Sequence, residues 1–244
     1  MKTLVLGDIE GRTCWKNIVE IEKPDRVIFL GDLATTHFKD LISNETCVEN
    51  FKEILKFYDE YDGEVIILRG NHDCYDIGGW YWAECYPFNP HIANAVRPYK
   101  DEWLKKSQWI FQDGKLCFSH AGVSSIWMEN NNIKTLEEIN DLEPSEIFAF
   151  NGKFSDYTGV SPQQPPTWIR PYTLVYCGYK GVTHIVGHTN IGPLRNYKDA
   201  YSKAGIYSQK ELDEFIDVWC CDTLPNEYLI IENNKFIVKK YGTR

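Results

Sequence analysis

The chain has 244 residues, of which 43% are hydrophobic, and this is sufficient for a substantial core. Its 26 lysine and arginine residues against 35 aspartate and glutamate residues give a formal net charge of −9, which repels polyanions and makes duplex nucleic acid a poor partner. No linker rich in proline, glycine or serine divides the sequence, so we expect residues 1–244 to form a single domain.

In the first 73 residues, apolar runs alternate with amphipathic segments. The apolar runs at residues 3–6, 26–30 and 64–68 are rich in β-branched and aliphatic side chains, which indicates buried strands. Helical periodicity between them predicts one helix over residues 14–22, with Trp15, Ile18, Val19 and Ile21 on its apolar face, and a second around residues 51–58. A β-α-β-α-β order favours parallel strands.

Two further apolar runs and a terminal hairpin follow later in the chain. The runs at residues 115–118 and 183–186 indicate strands. The segment 228–239 predicts a hairpin turned at Asn233-Asn234, because asparagine tolerates the positive φ of such turns. Parallel and antiparallel strands together predict a mixed α/β protein.

Capping-box spacing marks two later helix starts. Thr135 with Glu138 predicts a helix at about residues 136–141, and Ser208 with Glu211 predicts one at about 209–217. In this arrangement each side chain satisfies a backbone amide that the helix leaves without a partner.

Five short polar signatures each directly follow one of the apolar runs. They are Gly7-Asp8-Ile9-Glu10-Gly11, Gly31-Asp32, Gly70-Asn71-His72-Asp73, Ser119-His120-Ala121-Gly122 and Gly187-His188-Thr189. In open α/β sheets, ligands bind beyond the carboxyl ends of the strands. The repetition therefore predicts one site built from many strand ends.

The polar residues of these signatures suit a metal centre. Carboxylate, amide and imidazole donors together favour hard or borderline divalent ions, such as Mn²⁺, Fe²⁺ or Zn²⁺, over a thiolate site. Two such ions about 3.5–4 Å apart, bridged by a carboxylate, activate water and bind both oxygens of an in-line displacement at phosphorus. The set therefore predicts phosphoester hydrolysis.

The order and spelling of the signatures resemble those of the calcineurin-like metallophosphoesterases, usually written G-D-[IV]-H-G, G-D-x-x-D-R-G, G-N-H-[DE], H-[AG]-G and G-H-T. Within that superfamily the chain looks closest to the phosphoprotein-phosphatase branch, which includes lambda-type phosphatases and symmetrical diadenosine tetraphosphatases. The segments Leu68–Asp73, Trp168–Arg170 and Cys221–Thr223 carry this likeness. The resemblance implies a two-sheet β-sandwich flanked by helices, with two metals at the strand ends.

The resemblance also implies a role for each matching residue. Asp8 and Asp32 would bind the first metal, with Asp32 bridging to the second. Asn71, His120 and His188 would complete the second metal site, and Asn71 would lie beside the substrate.

Two more residues match family positions that act on the phosphoester. His72 would be the general acid that protonates the leaving oxygen. Arg170 would bind phosphate, for which its planar fork of donors is suited.

The first signature departs from the family at Glu10, which stands where the family has histidine. An anionic oxygen ligand at the first metal favours harder ions, Mn²⁺ or Mg²⁺, over Zn²⁺. Manganese is therefore the expected ion.

The second signature departs further, because Thr35-Thr36-His37 stands where the family has Asp-Arg-Gly. The change removes a carboxylate that orients the general acid and an arginine that holds phosphate. Unless Asp73 or another carboxylate replaces the missing one, His72 lacks an orienting partner.

The expected function is hydrolysis of phosphomonoesters by a metal-activated water, with a phosphorylated protein, a dinucleoside polyphosphate or another small phosphoester as substrate. A phosphodiesterase or nuclease of the same superfamily is an alternative, disfavoured by the acidity and by Asn190, where such relatives have a second histidine. A catalytically weak protein that binds a phosphorylated partner is a second alternative, motivated by Glu10 and Thr35.

The cysteines and the hydropathy bear on location. Eight cysteines are scattered, with no C-x-x-C pair and no signal peptide, which favours free thiols and the cytoplasm. No apolar run approaches about 18 residues, so no membrane-spanning segment is expected.

Overall fold

A computed structural model gives the arrangement of most of the chain. It describes residues 1–35, 41–80, 87–147, 158–190, 192–205 and 207–242. Two compact units are present, one formed by Met1–Gln108 with Thr223–Arg244 and the other by Trp109–Asp222. The single domain expected from the sequence stays a prediction.

Strands and helices alternate along the described residues. The strands are β1 (Lys2–Leu6), β2 (Arg26–Phe29), β3 (Glu64–Leu68), β4 (Ser107–Gln108), β5 (Ile110–Asp113), β6 (Leu116–Ser119), β7 (Thr183–Val186), β8 (Arg195–Asn196), β9 (Val218–Cys220), β10 (Glu227–Glu232) and β11 (Lys235–Lys240). The helices are α1 (Cys14–Glu22), α2 (Asn44–Glu60), α3 (Asn71–Asp76), α4 (Pro90–Val96), α5 (Lys100–Lys106), α6 (Ser125–Asn130), α7 (Pro144–Ile147), α8 (Pro171–Cys177), α9 (Tyr197–Ala204) and α10 (Gln209–Glu214). Short 3₁₀ helices span Arg97–Tyr99 and Glu137–Asp141.

The first unit contains a six-stranded mixed sheet in the order β11-β10-β1-β2-β3-β4. From β1 to β4 each neighbouring pair is parallel, whereas β10 pairs antiparallel with both β1 and β11. The predicted β-α-β-α-β order is confirmed, since α1 and α2 connect successive parallel strands. Parallel pairing places the carboxyl ends of β1, β2 and β3 side by side at one edge of the sheet.

The helices of the first unit bury apolar stripes close to those predicted. In α1, Trp15, Ile18 and Val19 are buried. Ile21 was expected on the same face and is 60% exposed, because the apolar stripe is narrower than the sequence suggested. The backbone N–H of Thr46 donates to the hydroxyl of Ser43, 3.2 Å away, and this capping bond fixes the start of α2.

The C-terminal hairpin forms as predicted and adds the antiparallel strands to this sheet. Asn233 and Asn234 adopt φ values of 50° and 60°, the left-handed conformation that a two-residue turn between β10 and β11 requires. β10 then pairs with β1 along its length.

A buried carboxylate ties α1 to three strands of the first sheet. Glu22, at the end of α1, accepts hydrogen bonds from Tyr228 Oη at 2.6 Å and from Lys239 Nζ at 2.8 Å, and Lys2 Nζ lies 2.7 Å from its Oε2. Burial alone raises the pKa of Glu22, but these three donors outweigh burial and lower the pKa to about 2.

We expect Glu22→Gln to lower the free energy of unfolding at pH 7 by about 1–3 kcal/mol, the usual range for hydrogen bonds to a charged group. Because the folded-state pKa lies below the ordinary value of 4.5, the contribution is complete above pH 4.5 and is lost as the pH falls toward 2. Denaturant unfolding of both proteins from pH 7 to pH 2 measures the difference. The exposed Glu20→Gln is the matched control, and a difference that stays constant with pH contradicts the assignment.

The second unit contains a five-stranded mixed sheet in the order β5-β6-β7-β9-β8. The predicted strands at residues 115–118 and 183–186 correspond to β6 and β7, which are parallel neighbours. β9 continues the parallel set, and the edge strands β5 and β8 are antiparallel. Its core includes Ile169, Leu174, Val175, Val186 and Val218.

Of the two predicted capping boxes, one forms. The Ser208 hydroxyl accepts from the Glu211 amide, and the Glu211 carboxylate accepts from the Ser208 amide, at the start of α10, which ends at residue 214 and not at 217. At the other site a 3₁₀ helix replaces the expected α-helix, and Glu138 accepts from the backbone of Lys134 at 2.8 Å. The box with Thr135 is therefore wrong, because the carboxylate caps the preceding residue.

The predicted fold class is confirmed. Two mixed sheets flanked by helices define a mixed α/β fold. Among the described helices, none combines the length and apolar character needed to cross a membrane.

Candidate active site

The turns after β1 and β2 lie against each other in the first unit. The backbone N–H of Glu10 donates to the carbonyl of Asp32 at 2.7 Å, and that of Gly11 donates to the carbonyl of Leu33 at 3.1 Å. Glu10 and Asp32 both adopt positive φ, at 46° and 50°, so each turn reverses sharply at its acidic residue. Asp8, Glu10 and Asp32 are consequently buried at the carboxyl ends of neighbouring strands.

Asp73 fixes the turn after β2 to the start of α3. Its carboxylate accepts three backbone N–H groups, from Asp32 at 2.9 Å, Leu33 at 2.7 Å and Gly70 at 2.9 Å. A carboxylate held in this way positions its surroundings, because it makes charge-assisted bonds to backbone at both oxygens.

Asp32 in turn binds the first turn of α3. Its Oδ1 accepts the backbone N–H of His72 at 2.9 Å. Gly70 is required beside it, because a Cβ there would overlap both Oδ1 and the backbone nitrogen of Asp32. Asn71 is buried and His72 is half-buried, and Nδ1 of His72 is the ring nitrogen turned away from solvent.

Glu10 forms an ion pair within its own turn. Arg12 Nη2 lies 2.6 Å from Glu10 Oε2, and Arg12 Nη1 donates to the carbonyl of Asp8 at 3.2 Å. The carbonyl of Arg12 accepts from Asn50 in α2, whose own side-chain oxygen accepts from Trp15. The Glu10 carboxylate is thus held in place by a network of contacts that the sequence did not predict.

The second unit brings its two signature histidines together. His120 follows β6 and His188 follows β7, and Nε2 of His120 lies 3.2 Å from Nδ1 of His188. His120 is fully buried, and the backbone N–H of Gly187 donates to its carbonyl at 2.8 Å. His188 has a φ of 63°, which turns its ring out of line with β7.

Trp168 and Arg170 lie beside this histidine pair. The centroid of the Trp168 ring is 5.1 Å from that of His188, and the guanidinium of Arg170 lies 5.5 Å from the centroid of Trp168. Arg170 Nη1 donates to the Thr189 hydroxyl at 3.2 Å and Nε donates to the Thr158 carbonyl at 3.0 Å. Within the described part of the chain, nothing accepts a hydrogen bond from Nη2.

Arg69, at the end of β3, bonds to the segment that includes β4. Its guanidinium donates to the hydroxyl and carbonyl of Ser107 and to the carbonyl of Leu104, at 2.7–3.0 Å. It therefore anchors β4 to the end of β3. Thr36 and His37 lie outside the described residues.

Comparison with known proteins identifies the family and the fold. The family model for the calcineurin-like phosphoesterases matches residues 1–198. A cold-active protein-tyrosine phosphatase of a psychrophilic Shewanella species has a TM-score of 0.60 and 20% identity, covering 98% of this chain and 77% of that one. A protein serine/threonine phosphatase from Saccharomyces cerevisiae, with similarity to human phosphatase PP5, has a TM-score of 0.55 and 12% identity, covering 100% of this chain and 80% of that one. At these identities the structural likeness establishes the fold alone.

Fold and signatures together define a metallophosphoesterase. The chain belongs to the calcineurin-like phosphoesterase family, whose model covers most of its length, and it is a hydrolase that acts on phosphoester bonds. The family expected from the sequence is confirmed.

Proposed function

We propose that this protein hydrolyses phosphomonoesters with two divalent metal ions held by its signature residues. Asp8, Glu10 and Asp32 would hold the first ion. Asp32, Asn71, His120 and His188 would hold the second.

The histidine pair, in which His120 is fully buried and His188 is half-buried, is the observation that carries this proposal. Two imidazole nitrogens only 3.2 Å apart either share a hydrogen or face a common cation. Family membership favours the cation, and buried carboxylates and an amide at the ends of β1, β2 and β3 supply the oxygen donors that a hard ion requires. Family and donor chemistry thus support the same kind of centre.

The protein's own groups then act on the phosphoester. When bound, the two ions supply Lewis acidity, which activates water and neutralises phosphate charge. His72, at the start of α3, donates a proton to the leaving oxygen. Arg170 presents Nη2 to a phosphate oxygen, its other nitrogens being held by Thr158 and Thr189. Asn71 lies at the helix start beside the same phosphate.

Manganese is the proposed ion, although Fe²⁺, Mg²⁺ and Zn²⁺ also suit mixed oxygen and imidazole donors. The anionic Glu10 in the place of the family's histidine favours the harder ions. Its ion pair with Arg12 holds the carboxylate beside Asp8, the other proposed ligand of the first metal.

We expect Glu10→His to keep activity and to shift metal preference toward Zn²⁺, by about tenfold in the ratio of activities with Zn²⁺ and Mn²⁺, because imidazole is a softer ligand than carboxylate. Activity measured across Mn²⁺, Mg²⁺ and Zn²⁺ gives that ratio. The exposed Glu20→His is the matched control. An unchanged ratio means that Glu10 is not a ligand.

The proposed substrate is a phosphorylated protein or a small phosphoester such as a nucleotide. Both structural neighbours are protein phosphatases by name, and the net charge of −9 opposes binding of a polynucleotide. The described cysteines are all free thiols, which supports a cytoplasmic location as part of the proposal.

Parallel assays with p-nitrophenyl phosphate and bis-p-nitrophenyl phosphate test the function. Metal-free protein should be inactive, and added Mn²⁺ should restore hydrolysis of the monoester well above that of the diester. Preference for the diester supports the phosphodiesterase alternative. Hydrolysis of neither ester with any of the four metals supports a protein that binds a phosphorylated partner without turning it over.

A further inference from the structure

Thr35 occupies the position where the family has the carboxylate that orients the general acid. In the structure its hydroxyl donates a hydrogen bond to Oδ2 of Asp76, the last residue of α3. Both residues are almost wholly buried, with 4% and 1% of their surface exposed. Where the family has a carboxylate in this loop, the chain has Thr35, which instead binds the carboxylate of Asp76 from α3.

Asp73, the other acid near His72, already accepts hydrogen bonds from the backbone. Its two oxygens accept the backbone N–H groups of Asp32, Leu33 and Gly70, and these bonds fix the turn after β2. Using Asp73 to orient an imidazole would break contacts that position Asp32. Among the described residues, no backbone N–H group donates to the Asp76 carboxylate.

Asp76 is placed to contact His72, and one of its carboxylate oxygens has no hydrogen-bond donor among the described residues. It lies four residues after His72 on α3, and residues at this spacing share one face of a helix. Within the described part of the chain, its Oδ1 is buried and accepts no hydrogen bond. Arg97 donates to the backbone carbonyl of Asp76, at 3.1 Å, and not to its carboxylate.

The electrostatic surroundings of Asp76 agree with this picture. Burial and the negative charges of Asp73 and Asp32 raise the pKa of Asp76 to about 8, and Arg97 offsets the shift only in part. A carboxylate in this environment gains most from a neighbouring imidazolium, which supplies both a hydrogen-bond donor and a positive charge.

We propose that Asp76, held by the hydroxyl of Thr35, is the positioning residue for His72 and replaces the carboxylate that the second signature lacks. In the catalytic form Oδ1 would accept the hydrogen of Nδ1, the buried ring nitrogen, a bond that the described structure does not contain, so that in the imidazolium Nε2 would direct its own proton toward the substrate. The inference rests on the proposed role of His72 as proton donor.

In the hydrolysis of a phosphomonoester, water adds to phosphorus while the bond to the leaving oxygen breaks, and that oxygen takes the bond's electron pair and a proton from Nε2 of His72. The proton that the attacking water loses restores the imidazolium through solvent, and Asp76 keeps its hydrogen bond to Nδ1 throughout.

The test is Asp76→Asn in the metal-reconstituted protein, assayed with two esters. Phenolate has a pKa of about 10 and needs protonation as it leaves, whereas p-nitrophenolate is a far weaker base. We expect kcat for phenyl phosphate to fall about 10- to 100-fold, the usual cost of losing an orienting partner, and kcat for p-nitrophenyl phosphate to change by less than about threefold. Equal losses for the two esters overturn the proposal.

A rescue variant separates positioning from general damage to the fold. Thr35→Asp combined with Asp76→Asn returns the carboxylate to the family position and should recover most of the phenyl phosphate activity. The exposed Asp101→Asn should leave both rates unchanged. A double variant no better than Asp76→Asn contradicts the exchange of positions.

A readout without catalysis distinguishes failure of this inference from failure of the proposed function. Nitrogen-15 NMR of the histidine side chains, in protein loaded with diamagnetic Mg²⁺ or Zn²⁺, reports which ring nitrogen of His72 carries hydrogen. The proposal predicts hydrogen at Nδ1 in both the imidazolium and the neutral form of the wild type, and a mixture of tautomers in the neutral form of Asp76→Asn. Identical spectra contradict it, and this holds even where neither ester is hydrolysed.

Discussion

Asp32→Asn is expected to lower Mn²⁺-dependent hydrolysis of p-nitrophenyl phosphate about a thousandfold. The substitution removes the negative charge of the proposed bridging ligand, and a loss of about 4 kcal/mol in transition-state stabilisation corresponds to that factor. The fold should persist. Asparagine tolerates the φ of 50° at this position, and its amide oxygen still accepts the His72 N–H that Oδ1 accepts at 2.9 Å.

Initial rates with excess Mn²⁺, together with circular dichroism and thermal unfolding, check this result. Asp62→Asn makes the same chemical change at an exposed acid and should leave the rate unaltered. Activity within about tenfold of wild type in a folded Asp32→Asn protein contradicts a bridging role.

Gly70→Ala is expected to damage the same site through packing alone. The φ of −89° and ψ of 169° at Gly70 suit any residue, so backbone strain does not enter. The added Cβ overlaps the carboxylate and the backbone nitrogen of Asp32, and overpacking of this kind costs about 1–3 kcal/mol in unfolding free energy. Because Asp32 must move, activity should fall about a hundredfold.

Gly181→Ala provides the opposite case. Gly181 has a φ of 89°, so alanine there is strained, but its Cβ meets no atom within 4 Å. Denaturant unfolding should show destabilisation in both variants, whereas only Gly70→Ala should lose activity. Full activity in Gly70→Ala shows that Asp32 tolerates displacement and weakens the account of the site.

The sequence predicted β1, β2, β3, β6 and β7 because each is a short apolar run that ends at glycine or at a polar signature, whereas it gave no prediction for β4, β5, β8 or β9. The runs at residues 26–30 and 64–68 needed only local pattern to be assigned as β2 and β3, and parallel order followed from the helices between them. The same logic placed Asp8, Asp32 and Asn71 at neighbouring strand ends. Their roles as ligands remain predictions.

Features that depend on contacts distant in sequence were harder to predict. Asp73 binds amides 40 and 41 residues away, and the Thr35–Asp76 bond spans 41 residues. The spacing of four residues between His72 and Asp76 is visible in the sequence. Its significance depends on the burial of Asp76 and on the absence of a hydrogen-bond donor to its Oδ1 within the described residues, which only the structure shows. The local capping pattern at Thr135 also gave a wrong prediction, because the carboxylate of Glu138 accepts a hydrogen bond from the backbone N–H of Lys134.

The dinuclear centre is the central claim, and counting metal ions tests it most directly. Titration of metal-free protein with Mn²⁺, followed by calorimetry and by elemental analysis after gel filtration, should give two ions per chain in the wild type. Asp32→Asn should retain fewer, because it removes a charge that both ions share. Two ions per wild-type chain agree with the account, and one ion or none contradicts it.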